Sequence, residues 1–238
     1  MFKQMFDAES STLTYLIVDD VTCEAALIDP VVNHVDDYIV LIKELNCLLK
    51  YSIETHVHAD HITAGGKLRE KLNIQTAVGE QCGATTADIQ LKEGDVLIVG
   101  HQTIKVIATP GHTAGSMSFL WQDKLFTGDA LLISGCGRTD FQGGDAGVLF
   151  DSISNKIFSF HDETLIYPAH DYNGKRVSCV GQEKAINPRM ADKTREEFIA
   201  MMRSLNLPKP KFIDIAVPAN RVCGVVEENE QAPEVVQG

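Results

Sequence analysis

Apolar and polar positions along the chain follow two periods. Residues 13–18 and 23–28 are short apolar runs that stop at Asp19-Asp20 and Asp29-Pro30, the punctuation expected of strands. Residues 31–45 space their apolar side chains by three and four, which predicts a helix. Residues 48–55 predict a strand running into a cluster of histidines. A helical turn over 67–71 and a short strand over 75–78 follow. In the middle third, 96–99, 103–108, 116–121 and 124–127 are short, β-branched or apolar runs between turn residues, a hairpin pattern. A helix over 146–160, a strand over 164–167 and a helix over 191–205 complete the series. Pro208 and Pro210 cannot continue that last helix. Helices interleaved with strands around a hairpin-rich centre predict an α+β fold with a layered mixed sheet rather than a doubly wound parallel one. One domain is expected over residues 1–226, with an acidic, frayed tail over 227–238.

Composition narrows the function classes. The 238 residues are 44% hydrophobic and 23% charged, an ordinary globular mixture. No apolar run approaches the ~18–20 residues of a membrane helix, so no membrane partner is expected. The formal net charge of -12 repels phosphate backbones and argues against nucleic acid as a partner. The first residues carry acid and lack a signal peptide's apolar core, so a cytoplasmic location is expected. The six cysteines form no Cys-x-x-Cys pair and read as reduced thiols. Cys136, near the candidate site in sequence, reads as a packed small residue rather than a sulfur-relay thiol.

The chemistry concentrates in the histidines. Three of eight fall within Thr55-His56-Val57-His58-Ala59-Asp60-His61, where strand alternation would put His56 and His58 on one face. His112, Asp129 and His170 each follow an apolar run and have Gly or Pro nearby. Strand ends with such turns let a sheet present ligands from several segments at one edge. Seven candidate ligands result: His56, His58, Asp60, His61, His112, Asp129 and His170. Imidazoles crowded around a strand end are buried at least cost by a metal ion. His34, His101 and His161 stand alone and read as surface or hydrogen-bonded residues.

The series His-x-His-x-Asp-His, Gly111-His112, Gly128-Asp129 and a late His170 resembles the metallo-β-lactamase superfamily over residues about 10–205. That resemblance implies a four-layer αβ/βα sandwich with metal at the sheet edge. Two branches compete, persulfide dioxygenases and the glyoxalase II-type hydroxyacylglutathione hydrolases, which hold two metals. The stretches Gly137-Arg138-Thr139-Asp140-Phe141-Gln142 and Ala169-His170-Asp171-Tyr172-Asn173-Gly174 resemble the dioxygenase branch. The residues after His170 are expected to leave little room for the complete glutathione-holding helical domain of the hydrolases.

The dioxygenase resemblance implies an enzyme that oxidises glutathione persulfide with O2 to sulfite and glutathione. It implies one Fe(II) per chain, held by His56, His112 and Asp129 as the catalytic centre. Two imidazoles and a carboxylate leave three positions open on such an ion. His58, Asp60, His61 and His170 then orient ligands, or else hold a second metal bridged by Asp129. Zinc is the alternative metal or a purification artefact. Arg138 meets a substrate carboxylate or is bonded to Asp140 and loop carbonyls. Tyr172 meets a peptide group, and Lys175 and Arg176 meet carboxylates. A homodimer would be served by exposed Phe2 and Phe6. Two rival readings are a closed, structural metal module and a nuclease of the same superfamily. Full coordination by protein would mark the first, and the acidic charge disfavours the second.

Overall fold

The computed structural model describes residues 1–225, so the tail expected over 227–238 lies outside the described residues. β2 (Thr12–Val18) is buried along its whole length, and its alternation divides it between two cores. Leu13, Tyr15 and Ile17 face the space between two sheets. Leu16 and Val18 pack on the other side among residues of α1 (Val35–Glu44) and α2 (Gly65–Leu72). β2 pairs antiparallel with β1 (Phe2–Asp7) and β3 (Glu24–Ile28). β4 (Leu48–Ile53), β5 (Gln75–Gly79) and β6 (Ile89–Leu91) then continue in parallel from β3, giving the order β1-β2-β3-β4-β5-β6.

The second sheet contains the expected hairpins. β7 (Val96–Val99), β8 (Gln102–Ala108), β9 (Met117–Trp121) and β10 (Lys124–Gly128) pair antiparallel in sequence. β11 (Leu165–Pro168) joins β10 in parallel, and β12 (Ser178–Cys179) closes the edge. Ile104, Val106, Phe119 and Phe126 meet β2 in the inter-sheet core. Leu125 and Ile166 face outward onto Leu149 and Ile153 of α3 (Ala146–Asn155) and Phe198 and Met202 of α5 (Arg195–Ser204). Helix, sheet, sheet, helix is the four-layer α+β sandwich expected.

Several expectations need correction. His56 and His58 lie beyond the end of β4, in a loop, so strand alternation does not orient them. Phe2 and Phe6 do not form an exposed dimer face. Both pack against the inter-sheet core, with the Phe2 ring 5.0 Å from Tyr167 and 5.9 Å from Phe126. α3 stops at Asn155 and a single 3-10 turn, Ile157–Ser159, follows. α5 begins only after Thr194, whose side chain and Glu197 form a capping box. The chain also folds beyond Pro208 and Pro210: α6 (Ile213–Arg221) buries Ile213, Ala216, Ala219 and Asn220 despite Pro218 within it. α4 (Val180–Ile186) is a further helix the pattern did not indicate. Among the described residues no helix is long and apolar enough to cross a membrane.

The loops that follow β4, β8, β10 and β11 are tied together at one edge. Met117 N–H donates to Thr55 O (2.7 Å), Ala169 N–H to Gly128 O (3.1 Å) and Leu13 N–H to Ala169 O (2.7 Å). Gly128 has φ +54, and a Cβ there would lie 2.8 Å from the Thr55 side chain. Glycine is required where β10 turns toward Asp129.

Candidate metal centre

His56, His112 and Asp129 converge at this edge, with one ligand-type atom from each lying within 4.8 Å of the others. Hydrogen bonds orient both imidazoles. His112 Nδ1–H donates to the Arg138 carbonyl at 2.6 Å, which leaves Nε2 as the nitrogen that faces the site. The Thr55 hydroxyl donates its only proton to Asp29 Oδ2 (2.8 Å), so its oxygen accepts from His56 Nδ1–H at 3.0 Å. His56 Nε2 is therefore a lone pair. Burial, then the neighbouring imidazoles of His58 and His112, hold His56 well below the usual histidine range, so the ring is neutral. His112 Nε2 lies 3.6 Å from Asp129 Oδ2. Two imidazole nitrogens and a carboxylate on one site fit a first-row divalent metal ion.

The other four candidate ligands, His58, Asp60, His61 and His170, form a second group whose ligand-type atoms also lie within 4.8 Å of one another. His170 Nδ1 is 2.6 Å from Asp129 Oδ1, and its Nε2 is 2.9 Å from Asp60 Oδ2. Burial lowers the affinity of His170 for a proton, but the two carboxylates outweigh it and raise this histidine well above its ordinary range. Burial raises Asp129, yet the charge and hydrogen bond of His170 hold it well below the usual carboxylate range. Asp60 Oδ2 is shared further with His61 Nδ1 at 2.9 Å and Thr12 Oγ1 at 3.2 Å. His58 Nε2 lies 3.1 Å from Asp29 Oδ1 and 3.5 Å from Glu54 Oε2, but neither of its buried ring nitrogens has a hydrogen-bond partner among the described residues. These acids overcome burial and raise His58 to about 10. His61 Nε2 is buried without a hydrogen-bond partner.

Residues that sequence reasoning passed over hold this cluster in place. Asp29, read only as the end of a strand, accepts from both Thr55 N–H (2.7 Å) and its hydroxyl. Like the ligands it is an acid at a strand end beside Pro, which was the available signal. Asn220 on α6 donates to the carbonyls of His58 (2.9 Å) and His61 (2.8 Å) and accepts from Thr63 N–H (2.9 Å). A polar residue on the apolar face of a helix was its only mark. Gly137 N–H donates to Asp129 O at 2.7 Å.

A cavity of about 640 Å³ opens on His56, His112 and Asp129. Arg138 lines it but is committed elsewhere. Its Nε and Nη2 donate to Asp140 at 2.6 Å each, and Nη1 donates to Pro208 O at 2.7 Å. Of the two readings of Arg138, the structure takes the structural one. Tyr172 also lines the cavity, its ring stacked on His170 at 5.7 Å. Lys175 lines a small adjoining pocket and donates to Ser134 Oγ at 3.3 Å. The Arg176 guanidinium lies over the Phe6 ring, 4.6 Å from its centroid, and lines neither space. Arg176 is thus not brought to the cavity that the other candidates line. Burial pushes the half-buried Cys136 thiol up to about 12, and its Sγ sits 3.9 Å from Met202 Sδ. All six cysteines are unpaired.

Known proteins share this arrangement of chain. The model of the metallo-beta-lactamase superfamily matches residues 83–170. Persulfide dioxygenase ETHE1, mitochondrial, of Mus musculus is 50% identical over 228 residues, spanning 94% of this chain and 89% of the mouse protein. The Homo sapiens protein of the same name is 48% identical over the same shares. The crystal structure of ETHE1 from Myxococcus xanthus superposes with a TM-score of 0.93 at 52% identity, covering 94% of this chain and 100% of that one. By that identity over nearly the whole length, the chain belongs to the ETHE1 persulfide dioxygenase family, a branch of the metallo-beta-lactamase fold.

Proposed function

We propose that this protein is an iron-dependent dioxygenase that oxidises a low-molecular-weight persulfide, glutathione persulfide foremost, to sulfite and the free thiol. One observation carries the reading beyond family membership: the seven ligand-type residues divide. His56, His112 and Asp129 present two imidazole nitrogens and a carboxylate to a cavity, whereas in the second group, whose ligand-type atoms also lie within 4.8 Å of one another, both His170 nitrogens are already bonded to carboxylates. This division supports one ion per chain, with Asp60, His61 and His170 as orienting partners.

A ferrous ion held by His56, His112 and Asp129 supplies the electrons and open positions that spin-paired protein groups lack for dioxygen chemistry. Overall, one persulfide, one dioxygen and one water give one thiol and one sulfite. The two sulfurs together lose four electrons to dioxygen, and two protons are released. The chain's own residues orient and enclose. His170 clamps Asp129 Oδ1, which leaves Oδ2 directed at the site. The Arg138 carbonyl fixes the His112 ring, and Thr55 fixes that of His56. Leu132, Leu207 and Phe212 give the cavity apolar walls, which limit bulk water near the reacting sulfur. Tyr172, which lines the cavity, would contact the thiol's peptide portion.

Elemental analysis of protein grown without added metal, paired with oxygen uptake, tests the reading. The expected result is about one iron per chain and uptake that requires persulfide. His56→Ala should abolish metal retention, while His61→Ala keeps most of it. Two zinc ions per chain, no oxygen uptake and rapid cleavage of lactoylglutathione would establish the hydrolase instead.

A further inference from the structure

Two non-histidine cations line the metal cavity among the described residues, Arg138 and Lys211. Arg138 is neutralised by its two bonds to Asp140, and its remaining donors hold the carbonyls of Leu207 (3.4 Å) and Pro208 (2.7 Å). It thereby fastens the segment between α5 and α6 across the cavity mouth, a segment already stiffened by Pro208 and Pro210. That segment carries two lysines. Lys209 donates to Asp214 Oδ2 at 2.6 Å. Lys211 has no carboxylate within 4.0 Å among the described residues, and its ammonium lies over the adjacent Phe212 ring, 5.0 Å from the centroid. A free ammonium on a rigid segment, at the rim of a cavity in an otherwise acidic chain, is a carboxylate receptor.

We propose that Lys211 recognises a carboxylate of the persulfide substrate and so sets the enzyme's preference for acidic thiols. The inference rests on the dioxygenase reading for the identity of that substrate. Lys211 takes the role that the sequence reading divided among Arg138, Lys175 and Arg176. In the structure the first is paired, the second lies in the adjoining pocket and the third is stacked on Phe6. Because its four-carbon stem keeps the charge at the solvent edge, the contact is a partly screened ion pair.

Glutathione carries the same carboxylates as its persulfide, so binding is measurable without turnover. Titration calorimetry would compare glutathione with its diethyl ester on the metal-loaded protein. The native protein should bind glutathione about fivefold more tightly than the ester, the scale of a partly exposed ion pair. Lys211→Met should remove that difference without changing the affinity for the ester. Lys211→Arg should keep it, and so should Lys209→Met. Four results would overturn the proposal: no measurable glutathione binding by the native protein, no preference over the ester, an unchanged preference in Lys211→Met, or an equal loss of both ligands. Oxygen uptake with persulfide is read on the same preparations. If uptake is absent while Lys211-dependent binding persists, the dioxygenase reading fails and the carboxylate site stands.

Discussion

The loop that carries four of the candidate ligands has no helix or strand of its own, so its shape depends on what bonds to its backbone. Asn220 supplies three of those bonds, to His58 O, His61 O and Thr63 N, at 2.8–2.9 Å. The side chain is 4% exposed, so water does not replace it when it is removed. Asn220→Ala therefore leaves two carbonyls and one N–H buried without partners. A buried hydrogen bond contributes about 1 kcal/mol net, and an orphaned group costs about 1–3 kcal/mol, so the expected loss is about 3–5 kcal/mol. That is a large share of the ~5–15 kcal/mol that holds a domain folded. Urea unfolding measures it directly, because Trp121 is the chain's single tryptophan, lies in the inter-sheet core and is 4% exposed. The midpoint should fall with little change in slope. Metal affinity should fall about 10- to 100-fold, the effect usual for groups that orient ligands from behind. If the variant loses less than about 1 kcal/mol and keeps its metal, α6 does not organise the histidine loop.

Other perturbations have equally definite outcomes. At Gly137 a Cβ would sit 2.4 Å from Asp129 O and 2.7 Å from His112 Nδ1. Gly137→Ala should thus displace one ligand or the other, with about 1–3 kcal/mol of strain, and lower metal content at least ~10-fold; full metal loading by this variant would contradict the geometry. Cys136→Ala should keep oxygen uptake within about twofold, because burial holds the thiol protonated; a loss of kcat beyond tenfold with metal retained would make that sulfur a participant. The N–H of His101, partly opposed by burial and helped by Thr22, pulls Asp19 from its ordinary 3.8 down to about 2. A depressed carboxylate stabilises the fold above its unfolded value and loses that effect as pH falls through the folded one. Denaturant midpoints should separate the native protein from Asp19→Asn above pH 4 and converge as pH approaches 2. A gap that persists unchanged into acid would show that the charge is not what Asp19 contributes.

The sequence made the sandwich legible where a strand's two faces are each uniformly apolar. β2 contributes to both cores, and its run of apolar residues marks it without ambiguity. β1 was hidden because Gln4 sits between Phe2 and Phe6 on one strand face, where its amide reaches Arg176 O at 2.7 Å. α6 was hidden because two of its four buried residues are alanine, one is asparagine, and Pro218 interrupts it. At the site, the ligand residues stood out because histidine is rare and strand ends are marked by Gly and Pro. Their orientation did not, because it is set by carbonyls and hydroxyls that leave no residue-type signature, such as Arg138 O behind His112 and Thr55 Oγ1 behind His56.

That distinction decides the chemistry. Seven ligand-type residues match one metal or two equally well as a list, and the number of ions depends on where lone pairs point. His170 places a carboxylate oxygen against each of its ring nitrogens, and Asp60 Oδ2 is shared among His170, His61 and Thr12. Recruiting His170 Nε2 and Asp60 to a second ion would break the contact between them, although His170 Nδ1 could keep its bond to Asp129. Asp29 and Glu54 act similarly on His58 from the opposite side. On the one-ion reading, the residue types that build a two-metal hydrolase site form instead a frame of ion pairs around three ligands. On the one-ion reading proposed above, the hydrogen bonds behind the ligands, rather than the ligands themselves, separate oxidation from hydrolysis.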